Sequence, residues 1–105
     1  MAKRVTKDDF DQIVLNNSLP VVVDFYSDSC VACKKLAPAL GDLEDNYEGK
    51  IEVVKVNTNF DSELCETYRI MANPSVLIFH EGKEAARKTG ALSYKELEDF
   101  VTSHI

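Results

Sequence analysis

The stretch Val21-Val22-Val23-Asp24-Phe25-Tyr26 constrains the fold more than any other in the chain. Apart from Asp24 it is β-branched or aromatic, and its apolar residues fall on both faces of an extended backbone. That is the pattern of a central strand covered on both sides, not of a half-solvated edge. Such a strand needs paired neighbours along its edges and helices above and below, and the surrounding residues supply patterns for both. It also carries a carboxylate where a buried strand disfavours one, and a Cys30-Val31-Ala32-Cys33 pair follows it directly.

Ahead of this strand, Thr6 is a plausible N-cap for a helix from about Lys7 to Asn16. Phe10, Ile13 and Val14 fall at helical spacing, and Asp8, Asp9 and Asp11 come early, where carboxylates suit the helix dipole. From Cys30, the residues Cys33, Leu36, Ala37, Leu40 and Leu43 share a helical face that runs out near Gly49, with Pro38 inside the pattern as a bend. Ile51 to Asn57 reads as a second strand. Asn59 or Asp61 then caps a helix carrying Phe60, Leu64 and Tyr68 on one face. Ser75 to Phe79 is a strand, Glu81-Gly82 a turn and Glu84 to Thr89 a weaker strand. Ser93 to Ser103 is a final helix opened by the Ser93-x-x-Glu96 capping box, and Arg4-Val5 is a candidate short first strand. Tyr68, Phe79, Phe100 and Val101 are expected in the core. Strands joined through helices run parallel and the closing hairpin antiparallel, so the expectation is an α/β protein with a mixed sheet covered on both faces.

Residues 1-105 are expected to form one domain with a core of its own. Apolar residues at 45% and charged residues at 29% argue against disorder, and three cysteines are too few for a disulfide framework. A net charge of −6 with scattered Lys and Arg disfavours nucleic-acid binding, because phosphate contacts need a positive face. No apolar run approaches a membrane span. The start, Met1-Ala2-Lys3-Arg4, leads into no apolar stretch of the signal-peptide kind, so the expected location is cytoplasmic.

The cysteine pair carries the chemistry. With Cys30 as N-cap and Cys33 in the first helical turn, a disulfide can close without moving the backbone. Free N–H groups and the dipole at that terminus favour a thiolate on Cys30. Cys33, further in, should keep its proton longer and act second, as resolving thiol in dithiol-disulfide exchange. Two other readings stand beside this one. A zinc site would need further paired ligands, and only Cys65, His80 and His104 remain; the thiols could also be inert.

Strand alternation puts Val22, Asp24 and Tyr26 on one face, with Asp24 beneath the helix start. Buried there, its pKa should rise, which makes it a candidate to take the Cys33 proton. Lys55, in the alternation Ile51-Val53-Lys55-Asn57, is its expected partner. The bland alternative places Asp24 at a solvated strand end. Asn73-Pro74-Ser75 precedes a strand, where proline is either punctuation or a functional turn.

These blocks together resemble the thioredoxin family along nearly the whole chain: "VVVDFYSDSC", "CxxCKKLAPAL", "VVKVN", "YRIMANPSVLIFHEGK" and "KTGALS". The resemblance implies the thioredoxin fold, a central mixed sheet of four to five strands flanked by four helices, and activity as a protein disulfide reductase with Cys30, Cys33, Asp24 and Lys55 at its centre. It implies a cis Pro74 packed beside the cysteines, and a substrate segment added along the backbone there. Ser29, Val31, Ala32, Asn73, Pro74, Ser75, Gly90 and Ala91 would form the docking rim. No cofactor is implied beyond the redox-active Cys30-Cys33 disulfide. The implied partners are a thioredoxin reductase-type electron donor and disulfide-containing substrate proteins, with the chain a monomer and neither nucleic acid nor membrane involved.

The family usually carries Trp before the first cysteine and Gly-Pro between the two, where this chain has Ser29, Val31 and Ala32, and it contains no Trp. Asn73 stands where Ile, Val or Thr is common. These changes point to a restricted set of partners, or, in the rival reading, to a thioredoxin-fold binding subunit dedicated to one partner. Cys65, where the family tends to carry a small residue, is expected to be a packed structural cysteine, with a regulatory or dimerising thiol as the minority reading.

Overall fold

The computed structural model describes residues 2–105. In chain order these form β1 (Lys3–Arg4), α1 (Lys7–Phe10, continued by a π-helical segment over Asp11–Leu15), β2 (Val21–Tyr26) and α2 (Val31–Asn46). They continue with β3 (Glu52–Asn57), α3 (Ser62–Thr67), β4 (Ser75–His80), β5 (Lys83–Thr89) and α4 (Tyr94–Thr102). The five strands make one mixed sheet in the order β1-β3-β2-β4-β5. β2 runs parallel to β3 and antiparallel to β4, and β4 and β5 form the closing hairpin. This α/β arrangement of a five-stranded mixed sheet with four helices is the thioredoxin fold.

As its composition demanded, β2 is paired on both edges and buried from Val21 to Phe25. Its alternation splits the core in two. Val21, Val23 and Phe25 face a cluster with Phe10, Val14 and Phe79, and Val22 faces the other side with Leu36, Leu40, Leu43 and Val101. The hairpin turn has Glu81 at φ 55° and Gly82 at φ 79°, the paired left-handed conformations that fit a turn to the twist of its strands. A Cβ on Gly82 would also approach the Leu15 carbonyl oxygen at 3.3 Å.

Several expectations shift in detail. The first helix does not stay α-helical to Asn16. After Phe10 its bonding widens to the i→i+5 type, closed by the Asn16 N–H donating to the Asp11 carbonyl at 2.9 Å. β1 falls at Lys3–Arg4, while Val5 is buried and donates its N–H to the Lys55 carbonyl. On α2 the buried small residue is Ala39, not Ala37, because the packing stripe leads Leu36, Ala39, Leu40 and Leu43. Phe60 lies ahead of α3, not on its inner face; it is 68% exposed, with the Arg4 guanidinium 5.1 Å above its ring. Phe100 is half-buried against the α2-side core, whereas Phe79 and Val101 are fully enclosed.

Candidate functional site

The hand-over from β2 to α2 builds the site. Cys30 is the N-cap of α2 with an extended backbone (φ −88°, ψ 111°), and its Sγ accepts the Cys33 N–H at 3.1 Å. The Cα atoms are 5.2 Å apart and the two sulfurs lie at disulfide-bonding distance. Their settings differ: Cys30 is half-buried, whereas Cys33 is 5% exposed and faces into the molecule. An N-cap whose side chain is an acceptor for backbone N–H groups is a place where negative charge on sulfur is stabilised. The pair is therefore asymmetric, with one sulfur reachable from outside and one facing inward.

Beneath them lies Asp24, 6% exposed, with Oδ1 lacking any hydrogen-bond partner. Burial pushes its carboxyl up from 3.8 to about 7, and the nearby positive charge of Lys55 opposes part of that rise. Asp24 and Lys55 are register partners across β2 and β3. Together with Cys33, Lys34, Tyr26 and Asp28 they line a cavity of about 200 Å³ that links the buried acid to the inner sulfur. A carboxyl that titrates near neutrality beside a buried sulfur can take or return a proton at physiological pH. The solvated strand-end alternative for Asp24 does not fit this burial.

Across the sulfurs lies the turn before β4. The Asn73–Pro74 bond is cis, Pro74 is buried, and the Asn73 carbonyl oxygen is 3.5 Å from Cys30 Sγ. The Pro74 carbonyl accepts the Gly90 N–H at 3.0 Å, and Gly90 takes φ 98°, a conformation glycine reaches without strain. The Asn73-Pro74 turn next to Cys30 is thus tied to the sequence-distant Gly90. Ser29, Val31 and Ala91 are exposed around them, and Ala32 is half-buried. Ser75 is not on this rim: it is 2% exposed and its hydroxyl donates to the Ala72 carbonyl at 2.5 Å, which ties the turn from inside.

Sequence patterns passed over some residues. The Asn73 side chain donates to Thr58 Oγ1 at 3.1 Å, so Thr58 joins the rim. Asn57, 2% exposed at the end of β3, donates to both Asp28 carboxylate oxygens and to the Tyr26 hydroxyl. A signal existed for Asn57, which shares the Lys55 alternation; Thr58 carried none. Cys65 is half-buried beside Ile70 and Asn73, and burial is the main cause pushing its thiol up. No group of three or more His, Cys, Asp or Glu gathers to hold a metal among the described residues, and no described helix is long and apolar enough to cross a membrane.

The chain matches the family model described as Thioredoxin over residues 1–103. It is 36% identical over 104 residues to thioredoxin 1 of Nostoc sp., covering 99% of this chain and 97% of the relative. It is 38% identical over 101 residues to the thioredoxin of Acidithiobacillus ferridurans (96% and 94%) and 35% identical over 101 residues to that of Pseudomonas aeruginosa (96% and 94%).

Proposed function

This chain belongs to the thioredoxin family and is a thiol-disulfide oxidoreductase, and from that premise we propose that it works as a protein disulfide reductase with Cys30 as nucleophile, Cys33 as resolving thiol and Asp24 as proton acceptor. The family works through a redox-active disulfide and its partners are disulfide-containing proteins. The observation that carries the proposal is the asymmetry of the pair: an N-capping, outward sulfur and an inward one above a carboxyl raised to about 7.

The steps follow from this placement. Cys30 thiolate attacks one sulfur of a substrate disulfide; a Cys30–substrate bond forms and the other substrate sulfur leaves as thiolate. Asp24 carboxylate then takes the Cys33 proton, and the Cys33 thiolate attacks the Cys30 sulfur. The Cys30–Cys33 disulfide closes and the second substrate sulfur leaves, taking the proton back from Asp24. The chain gives the substrate two electrons and, by way of Asp24, the one Cys33 proton; the substrate sulfur that left first as thiolate takes its proton from water. Lys55 tunes Asp24 through its charge. The Asn73-Pro74 backbone, with Gly90, Ala91, Ser29, Val31 and Ala32 around it, docks the extended substrate segment, and Ser75 holds that turn in shape. A reductase-type donor restores the dithiol, and the protein acts as a cytoplasmic monomer.

Insulin disulfide reduction tests the roles. Cys30→Ser should abolish it, whereas Cys33→Ser should accumulate mixed disulfides on Cys30. Full activity of Cys30→Ser overturns the proposal, and a wild-type pair that never cycles in redox buffers would leave a binding subunit instead.

A further inference from the structure

Lys55 stands directly across from Asp24, on the same face of neighbouring strands, yet the two do not close into an ion pair within 4.0 Å, and Asp24 Oδ1 stays without a hydrogen-bond partner. A lysine stem is long enough to span paired strands about 4.8 Å apart. Its ammonium lies over Tyr26: Lys55 Nζ is 5.4 Å from the centroid of that ring, inside the roughly 6 Å range of a cation–π contact.

The ring is itself held. Tyr26 ends β2 two residues after Asp24, and its hydroxyl accepts from Asn57 Nδ2 at 3.4 Å. Asn57 is fixed in turn by donating to Asp28 at 3.2 and 3.3 Å and by accepting the Asn59 N–H at 2.9 Å through Oδ1. Tyr26, Asp24 and Lys55 line the same cavity.

We propose that Tyr26 is a positioning residue, whose ring competes with Asp24 for the Lys55 ammonium and so keeps the buried carboxyl from being locked in its charged form. A closed Lys55–Asp24 pair would favour the carboxylate and make a weaker proton acceptor of it. With the ammonium parked over the ring, Asp24 feels a positive charge without a hydrogen bond to it. The other charged and titratable groups around that cavity are Cys33 and Lys34 from α2 and Asp28 from the loop after β2. The strand on the far side of β2 offers only Val76 opposite Asp24.

The consequence for turnover rests on the proton-acceptor role proposed above, so two readouts are needed. Carbon-13 NMR of the Asp24 carboxyl, in the oxidised protein, reads the hold on Lys55 whether or not Asp24 takes part in exchange. The pH profile of mixed-disulfide resolution reads the role of Asp24. Tyr26→Phe keeps the ring and should leave the Asp24 midpoint near the wild-type value. Tyr26→Leu should lower that midpoint by roughly one pH unit or more, and the shift should vanish when Lys55→Met is added. Because Tyr26→Leu could perturb folding, a ring-fluorinated phenylalanine at position 26 serves as the second variant; it keeps the shape, weakens the ring's attraction for a cation and should also lower the midpoint. An Asp24 midpoint equal to wild type in both the leucine and the fluorinated proteins overturns the proposal. Shifted midpoints with an unmoved resolution profile would uphold the hold on Lys55 and remove Asp24 from the exchange.

Discussion

On one face of β2, Val21, Val23 and Phe25 pack into a cluster where Phe10, Tyr68 and Phe79 meet at ring separations of 5.2 to 5.6 Å. On the other face, one residue away at each step, Val22 is followed by Asp24 and Tyr26 beneath the cysteine-bearing start of α2. Of the side chains that β2 itself buries, only Asp24, on the second face, is polar, and one of its carboxyl oxygens lacks a hydrogen-bond partner. A single strand thus joins a side that stabilises the fold to a side where stability is given up for a carboxyl that titrates near neutrality.

If that division holds, the largest loss of stability should come from the aromatic side and leave the chemistry alone. Phe79 is 2% exposed and central to the cluster. Phe79→Ala should cost about 3–5 kcal/mol, the usual range for a buried phenylalanine, read from the urea midpoint. The resolution rate under native conditions should stay within a factor of about two, since the residue touches neither sulfur nor Asp24. A matching collapse of that rate in the folded protein would mean that the two faces are not separable.

The next effect has the opposite sign. Folded Asp24 holds its proton up to about 7, whereas in the unfolded chain it releases it near 3.8. Between those values the folded state binds more protons, so this group lowers stability progressively as pH rises from about 4 to about 7, and the loss is complete above that. At 1.36 kcal/mol per tenfold change in proton affinity, the ceiling is about 4 kcal/mol. Asp24→Asn should therefore raise the urea midpoint at pH 8, give no comparable gain at pH 3.5, and slow resolution near neutrality. A gain of equal size at both pH values would point to better packing and not to the buried charge.

How much of this could be read in advance follows the same line. β2, the CxxC helix and the Ser93 capping box, seen here in the Ser93–Glu96 bonds, rest on local patterns of side-chain period and capping chemistry, and these were legible. So was Asp24, because a carboxylate in an apolar strand is a visible conflict. The π-helical turn after Phe10 was not, since apolar spacing alone does not separate i→i+4 from i→i+5 bonding. Phe60 misled because its hydrophobicity fits a helix face, whereas the chain there forms the turn whose Phe60 and Asp61 N–H groups both donate to the Asn57 carbonyl. Thr58, Asn57 and the hold of Tyr26 on Lys55 depend on which side chains meet across strands. No single segment carries that information.

The smallest effect concerns the thiol that lies between the two regions. Cys65 packs against the aromatic cluster, yet it also borders a groove with Thr58 and Asn73. Burial, reinforced by the negative charge of Asp61, pushes its thiol up, so little thiolate is present at pH 7. If Cys65 belongs to the packing side, Cys65→Ala should cost about 1 kcal/mol or less, and Cys30–Cys33 cycling should proceed at the wild-type rate. In the reduced protein, iodoacetamide at pH 7 should label Cys30 well before Cys65. Labelling of Cys65 as fast as Cys30 would transfer it to the reactive side, because packing alone gives a half-buried, protonated sulfur no reason to compete with one at a helix N-terminus.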